Sequence, residues 1–280
     1  MPAVELQRAL VERQTSLLEP PIIEVRNLHA HYGDVQVLFD LNLTVYEGEI
    51  MVIMGGSGSG KSTFLRHLIG LERPSAGTIR MLGRDTARLR PIEMLDLRRR
   101  IGVAFQGGAL FSSMTVAENL KLPLREHAKL DEKTMDIMAR MKLEVVNLSG
   151  FGELMPSELS GGMLKRAAVA RAIVTDPKLL FFDEPSAGLD PVVSAALDDL
   201  ILRLRDAMGM TMVVVTHEVE SALKIADRIT ILDGGRILEV DTPEAIRNSR
   251  NQRVQNLLNR HPAEETIDPA EYLRRLTGEG

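Results

Sequence analysis

Cysteine is absent from the 280 residues, which excludes disulfides, thiolate nucleophiles and Cys-ligated zinc. Long hydrophobic runs are missing too. The longest, Ile50–Met54, is five residues, against the ~18 that a membrane-crossing helix needs, so the chain does not span a bilayer by itself. Positive charge is not in excess: 34 Lys and Arg stand against 39 Asp and Glu, a formal net charge of −5. A net acidic chain has no general attraction to a phosphate backbone, so genome-wide nucleic-acid binding is disfavoured. The opening Met1, Pro2, Ala3, Val4 and Glu5 lack the basic-then-apolar form of a signal peptide, and the cytoplasm is the simplest compartment. What remains is ordinary. Hydrophobic residues at 44 % and charged residues at 26 % are near the average of soluble globular chains, and the length suits one large domain or two small ones with a real core.

Residues 1–21 carry sparse apolar positions and end in Pro20 and Pro21, which reads as a tail before the folded body. Short β-rich runs follow at 22–28, 35–39 and 41–45, broken around Tyr32, Gly33 and Asp34 and again at Glu47 and Gly48. Ile50–Met54 is continuously apolar, as a strand buried on both faces should be. A glycine-rich turn then gives way at Lys61 to helical periodicity that stops at Gly70. Strands are expected at 78–82 and 101–105, with a helix over 92–99 between them. The stretch 115–149, with Leu120, Leu122 and Leu124 followed by Met135, Met138 and Met141, reads as mostly helical. After a helix near 163–175, strands at 179–182, 212–216 and 229–232 alternate with helices at 192–208 and 219–225. That alternation predicts a parallel, doubly wound sheet. A helical tail is expected over 242–280, interrupted at Pro262 and Pro269.

Gly55, Gly56, Ser57, Gly58, Ser59, Gly60, Lys61 and Ser62 fit G-x-x-x-x-G-K-[ST] between a strand and a helix. Phosphate oxygens need many short N–H contacts. Glycines let the backbone wrap closely enough to supply them, and the helix start adds its positive dipole end. Lys61 would then bridge the β- and γ-phosphates and Ser62 would ligate Mg²⁺. Asp183 and Glu184 end an apolar strand. Two adjacent acids there are costly unless used: Asp183 suits Mg²⁺ through its waters, and Glu184 suits an attacking water. Ser160, Gly161 and Gly162 precede a helix and expose backbone N–H groups, although a plain helix cap explains them equally well in isolation. His217, after a strand, could hydrogen-bond a γ-phosphate; Gln106 could offer its amide oxygen to Mg²⁺; Tyr32, one of three tyrosines, could stack on adenine. Each of these three alone is as well explained as a packing or surface residue. Arg98, Arg99 and Arg100 read as a solvated face.

Taken together, these residues resemble the nucleotide-binding subunit of an ATP-binding-cassette (ABC) transporter over about residues 22–240. The order is that of the family: the Walker A loop at 55–62, Gln106, the signature at 159–163, Walker B at 179–183 with Glu184, the D-loop at 186–190 and His217. The resemblance implies an α/β P-loop cassette: a mainly parallel sheet, an antiparallel β subdomain and a helical insertion at about 107–165. The cassette itself would span 22–241, between a tail at 1–21 and a helical tail at 242–280. It also implies ATP and Mg²⁺ as ligands, with Thr63 and Asp190 added to the nucleotide contacts. Two subunits would meet head to tail, each ATP lying between the Walker A loop of one chain and the signature of the other. Two departures narrow the match: Gly56 stands where proline is usual, and Met163 where glutamine is usual. Met163, the stretch 105–120 and the segment 242–260 are similar to ATPases of Mla/MCE-type lipid transport systems. Those work on the cytoplasmic face of the inner membrane with permease subunits and an MCE-type substrate-binding protein, and with no nucleic acid. An importer of small polar solutes such as amino acids is the alternative within the class. A soluble ABC protein acting on nucleic acid would carry two cassettes, zinc modules or coiled-coil insertions, none of which is present. A nucleotide-gated module that no longer hydrolyses would lack Lys61 or Glu184.

Overall fold

The computed structural model describes residues 20–127 and 129–259. In chain order the strands are β1 (Ile23–Tyr32), β2 (Val35–Val45), β3 (Ile50–Met54), β4 (Ala76–Met81), β5 (Arg84–Asp85), β6 (Ile101–Ala104), β7 (Leu179–Asp183), β8 (Thr211–Thr216), β9 (Arg228–Asp233) and β10 (Arg236–Asp241). The helices are α1 (Lys61–Leu68), α2 (Pro91–Arg98), α3 (Val116–His127), α4 (Glu132–Val145), α5 (Gly161–Ala172), α6 (Pro191–Met208), α7 (Val219–Ile225), α8 (Pro243–Arg247) and α9 (Gln252–Leu258).

One sheet has the order β10-β9-β3-β8-β7-β6 and is parallel except for its β10 edge; the other, β2-β1-β4-β5, is antiparallel. Because strand side chains alternate between faces, the apolar run of β3 divides itself. Ile50, Val52 and Met54 enter a core shared with α3–α9, and Met51 and Ile53 enter a second core beneath the antiparallel sheet and α1. β7 repeats this with Leu180 and Phe182 on one side, Leu179 and Phe181 on the other. A strand buried on both faces must read as continuously apolar, which is why these two do.

The structure departs from the local reading in three places. The runs 35–39 and 41–45 form the single strand β2, because Asp40 adopts a left-handed φ of 53° and Asn27 Nδ2 donates to its carboxylate at 2.7 Å, absorbing the polar break as an irregularity in the ladder. The edge strand β10, unforeseen, follows a Gly234–Gly235 turn with φ of 52° and 72°. In the helical stretch, α4 turns Met135, Ala139 and Leu143 inward, while Met141 is 58 % exposed. Met138 packs partly buried beside that row, so only Met141 of the three methionines faces outward. α8 and α9 contribute Ile246 and Val254 to the larger core. Residues 1–19 and 260–280, including Pro262 and Pro269, lie outside the described residues.

Candidate nucleotide site

The parallel strands β3, β6, β7 and β8 end on one edge, as their register requires: Met54 pairs with Thr216, Val215 with Asp183, and Phe182 with Ala104. The loop 55–60, Gln106, Asp183 with Glu184, and His217 therefore leave the sheet side by side. This carboxyl edge is where open α/β sheets bind ligands.

The glycines of the 55–60 loop divide into two kinds. A Cβ on Gly55 would stand 2.2 Å from the Leu232 carbonyl oxygen, and one on Gly60, whose φ is 100°, would stand 2.7 Å from Leu38 Cδ2. These two are required by the fold. Gly56 and Gly58 face open space instead, which leaves the outer wall of the loop bare for a ligand to approach the backbone. Among the described residues no side chain caps α1, whose N-cap is the left-handed Gly60, so the first-turn amides remain available to an anion. Lys61 is buried, and its Nζ donates to the carbonyls of Gly55 (2.8 Å) and Gly56 (2.9 Å). Burial lowers its pKa, opposed by the charges of Glu184 and Asp183. Ser57 and Ser62 are exposed, Thr63 is half-buried, and the buried Ser59 Oγ has no partner among the described residues.

Asp183 is half-buried, and burial raises its pKa, with the Glu184 charge adding to the rise and Arg66, Lys165 and Lys61 opposing it. Glu184 sits in the left-handed region at φ 47°, a conformation that costs on the order of 1–2 kcal/mol for a residue with a Cβ. Its N–H donates to Val215 O at 2.8 Å, tying it to the end of β8. Its carboxylate faces His217: Oε2 lies 2.8 Å from His217 Nδ1 and accepts from the His217 backbone N–H at 3.3 Å. Gln106 is exposed one residue beyond Phe105. The structure thus brings Lys61, Asp183, Glu184, Gln106 and His217 to one edge of the chain.

The remaining predicted residues make contacts of their own. Ser160 caps α5, its Oγ accepting from Met163 N at 3.3 Å, and Gly162 packs so tightly that a Cβ would meet Val193 Cγ1 at 2.5 Å. Gly161 is exposed at the helix start. Asp190 caps α6, accepting from the N–H groups of Val192 and Val193, each at 3.0 Å. Tyr32, 45 % exposed at the end of β1, donates its hydroxyl to the Glu72 carboxylate at 2.8 Å.

A model of the ABC transporter family matches residues 38–187. The chain belongs to that family. As an ABC ATPase with a P-loop cassette, it binds and hydrolyses ATP. It is similar to the intermembrane phospholipid transport system ATP-binding protein MlaF of Haemophilus influenzae, 44 % identical over 237 residues that cover 85 % of this chain and 90 % of the relative. MlaF of Escherichia coli K12 is 40 % identical over 85 % of this chain and 88 % of its own. Among solved structures, the ATP-binding cassette MJ0796, a dimer in a post-hydrolysis state bound to ADP and Pi, is 31 % identical with a TM-score of 0.73, covering 79 % of this chain and 98 % of that one. Within the cassette, one polar residue beside the acids was not singled out by the sequence reading. Lys165 Nζ donates to the Gln106 carbonyl and, at 3.3 Å, to that of Glu184. A lysine among the small side chains of α5 was the available signal.

Proposed function

We propose that this chain powers an ABC transporter that moves phospholipid or a related lipid between bacterial membranes. The observation that carries this reading is the identity of 40–44 % to proteins named MlaF over most of both chains. The mycobacterial relative mkl, named as a probable ribonucleotide transport protein, is 39 % identical over 68 % of its length, and supports a nucleotide cargo as the second reading. In the lipid reading, permease subunits hold the chain at the cytoplasmic face of the inner membrane and an MCE-type protein carries the cargo. Among the described residues no helix is long and apolar enough to cross a membrane.

The chemistry divides among named residues. On ATP binding, Lys61 exchanges the Gly55 and Gly56 carbonyls for phosphate oxygens, giving the buried ammonium a direct anionic partner. The bare loop and uncapped α1 amides cradle the β- and γ-phosphates, with Tyr32 against the adenine. Ser62, Gln106 and Asp183 would hold Mg²⁺, whose charge neutralises that of the phosphates. Their donor set, a hydroxyl, an amide and one carboxylate, fits an ion that takes its other ligands from water and substrate. Glu184 orients and deprotonates the attacking water. His217 holds Glu184 before ATP arrives and the γ-phosphate afterwards. A second copy contributes Ser160, Gly161, Gly162 and Asp190 across the nucleotide. A hydroxyl carries one donor and two acceptor positions, so Ser160 caps its own helix and still donates to a phosphate.

Purification of the chain from detergent-solubilised membranes tests the cargo. An MCE-domain protein in the complex and lipid extracted from it are expected. A periplasmic solute receptor, or bound ribonucleotide in place of lipid, refutes the lipid reading.

A further inference from the structure

α5 carries two cations onto the loop that follows β6. Lys165 donates to the Gln106 carbonyl at the start of that loop, and Arg171 Nη1 donates to the Ala109 carbonyl at 2.7 Å. Both side chains are half-buried. The loop containing Gln106 is therefore strapped to α5 at two points rather than hanging free between the sheet and the helices. The same Lys165 ammonium reaches the Glu184 carbonyl, so it joins the ends of two neighbouring parallel strands, β6 and β7.

The contact with Glu184 falls on a residue whose backbone is strained. A left-handed φ of 47° persists only when the surroundings hold it. Val215 O holds the Glu184 N–H from the sheet, and Lys165 holds the Glu184 carbonyl from the helix, sharing it with the Ala187 N–H, each at 3.3 Å. Hydrogen bonds from a charged donor are roughly twice as strong as neutral ones at equal geometry, so this ammonium adds a charged contact to the neutral ones fixing the peptide that aims the carboxylate. Lys165 also lies little more than one turn beyond Ser160, the cap of the same helix. A displacement at the α5 start is thus delivered to Lys165 through a rigid element.

We propose that Lys165 is a positioning residue for hydrolysis: it fixes the backbones of Glu184 and Gln106 and makes their placement depend on where α5 sits. The consequence for the dimer rests on the head-to-tail reading above. The α5 start of one subunit faces its partner's nucleotide, while Lys165 of that subunit faces its own Glu184. Engagement of ATP in one site then sets the carboxylate in the other.

The test uses the full chain in its membrane complex, comparing Lys165→Met, Lys165→Arg and Glu184→Gln. Methionine keeps the unbranched apolar stem of lysine, one heavy atom shorter, but removes the donors. The expected result for Lys165→Met is a kcat lower by roughly tenfold or more, a KM for ATP within about twofold of the parent, and an unchanged melting midpoint. Lys165→Arg should recover most of the rate. Introduced beside Glu184→Gln, Lys165→Met should still allow an ATP-locked dimer on size-exclusion chromatography, since the phosphate contacts are intact. A Lys165→Met kcat within twofold of the parent overturns the proposal. So does a parallel loss of KM, melting midpoint and dimer, because Lys165 would then only seat α5. Glu184→Gln alone separates the two layers: if it hydrolyses at the normal rate, the assignment of Glu184 fails first, whereas an inactive Glu184→Gln beside an active Lys165→Met removes only the present inference.

Discussion

Three helices associated with the proposed nucleotide contacts begin in different ways. α1 starts at the left-handed Gly60 with no side-chain cap, whereas α5 is capped by Ser160 and α6 by Asp190. The first start has open amides and, around it, a buried Lys61 and a half-buried Asp183 that desolvation pushes toward their neutral forms. The other two have amides satisfied locally: Ser160 takes the Met163 N–H of α5, and Asp190 takes those of Val192 and Val193 on α6. The contrast separates two ways of making an anion site. The α1 corner holds a buried ammonium whose desolvation a phosphate offsets, and the α5 and α6 corners are capped and contribute the polar capacity left over from capping. Binding is thus expected to begin at α1, with α5 of a second copy closing on a nucleotide already held.

The largest effects test whether the open corner holds the chemistry. Lys61→Ala should abolish phosphate release and weaken ATP binding, while Glu184→Gln should lower hydrolysis by roughly 10²-fold or more with ATP binding retained. Size-exclusion chromatography with Mg-ATP should then show a closed dimer for Glu184→Gln and none for Lys61→Ala. Equal behaviour of the two would erase the division between binding and water activation.

The next effect contrasts a capped with an uncapped start. Ser160→Ala removes a cap and should cost about 1 kcal/mol of stability. Ser62→Ala, in the uncapped first turn of α1, should stay within about 0.5 kcal/mol of the parent. Chemical denaturation of the nucleotide-free chain compares them directly, and equal losses would mean that α1 is capped in a way its geometry does not show.

Smaller still is the stability held back at Asp183. Burial raises its pKa, so its contribution is most favourable below the ordinary carboxylate range and is lost as pH rises through the raised value. Asp183→Asn should therefore melt higher than the parent at neutral pH in the presence of chelator, with the gap closing as pH falls toward the ordinary carboxylate range. A lower melting midpoint at neutral pH would show that the carboxylate is already compensated. The smallest effect is expected at Met163, whose side chain follows the residues assigned to the phosphate. Met163→Gln should leave ATPase activity within a few-fold, and a collapse would assign the side chain a specific packing role in this class.

Much of this was readable from the chain in order. The glycine loop, the paired acids after an apolar strand and the Ser160 cap are local patterns, set by which φ values, N–H groups and charges a few consecutive residues can supply. The continuous apolar runs of β3 and β7 likewise announce burial on both faces. Other features were not local. The joining of 35–39 to 41–45 depends on Asn27 reaching Asp40 from β1, and the inward row of α4 depends on which neighbours cover it. The strained backbone of Glu184 has no glycine to mark it. Its pairing with His217 spans 33 residues.

The amino-acid sequence by itself determined the chemical types present and the short segments that carry them, because backbone propensity, capping and hydrophobic period act over a few residues. Tertiary structure alone decided that β3, β8, β7 and β6 stand in that order, with Lys61, His217, Glu184 and Gln106 at their ends and Lys165 reaching across from α5. Strand order is set by burying both faces of the whole sheet at once, and that condition is not contained in any one segment.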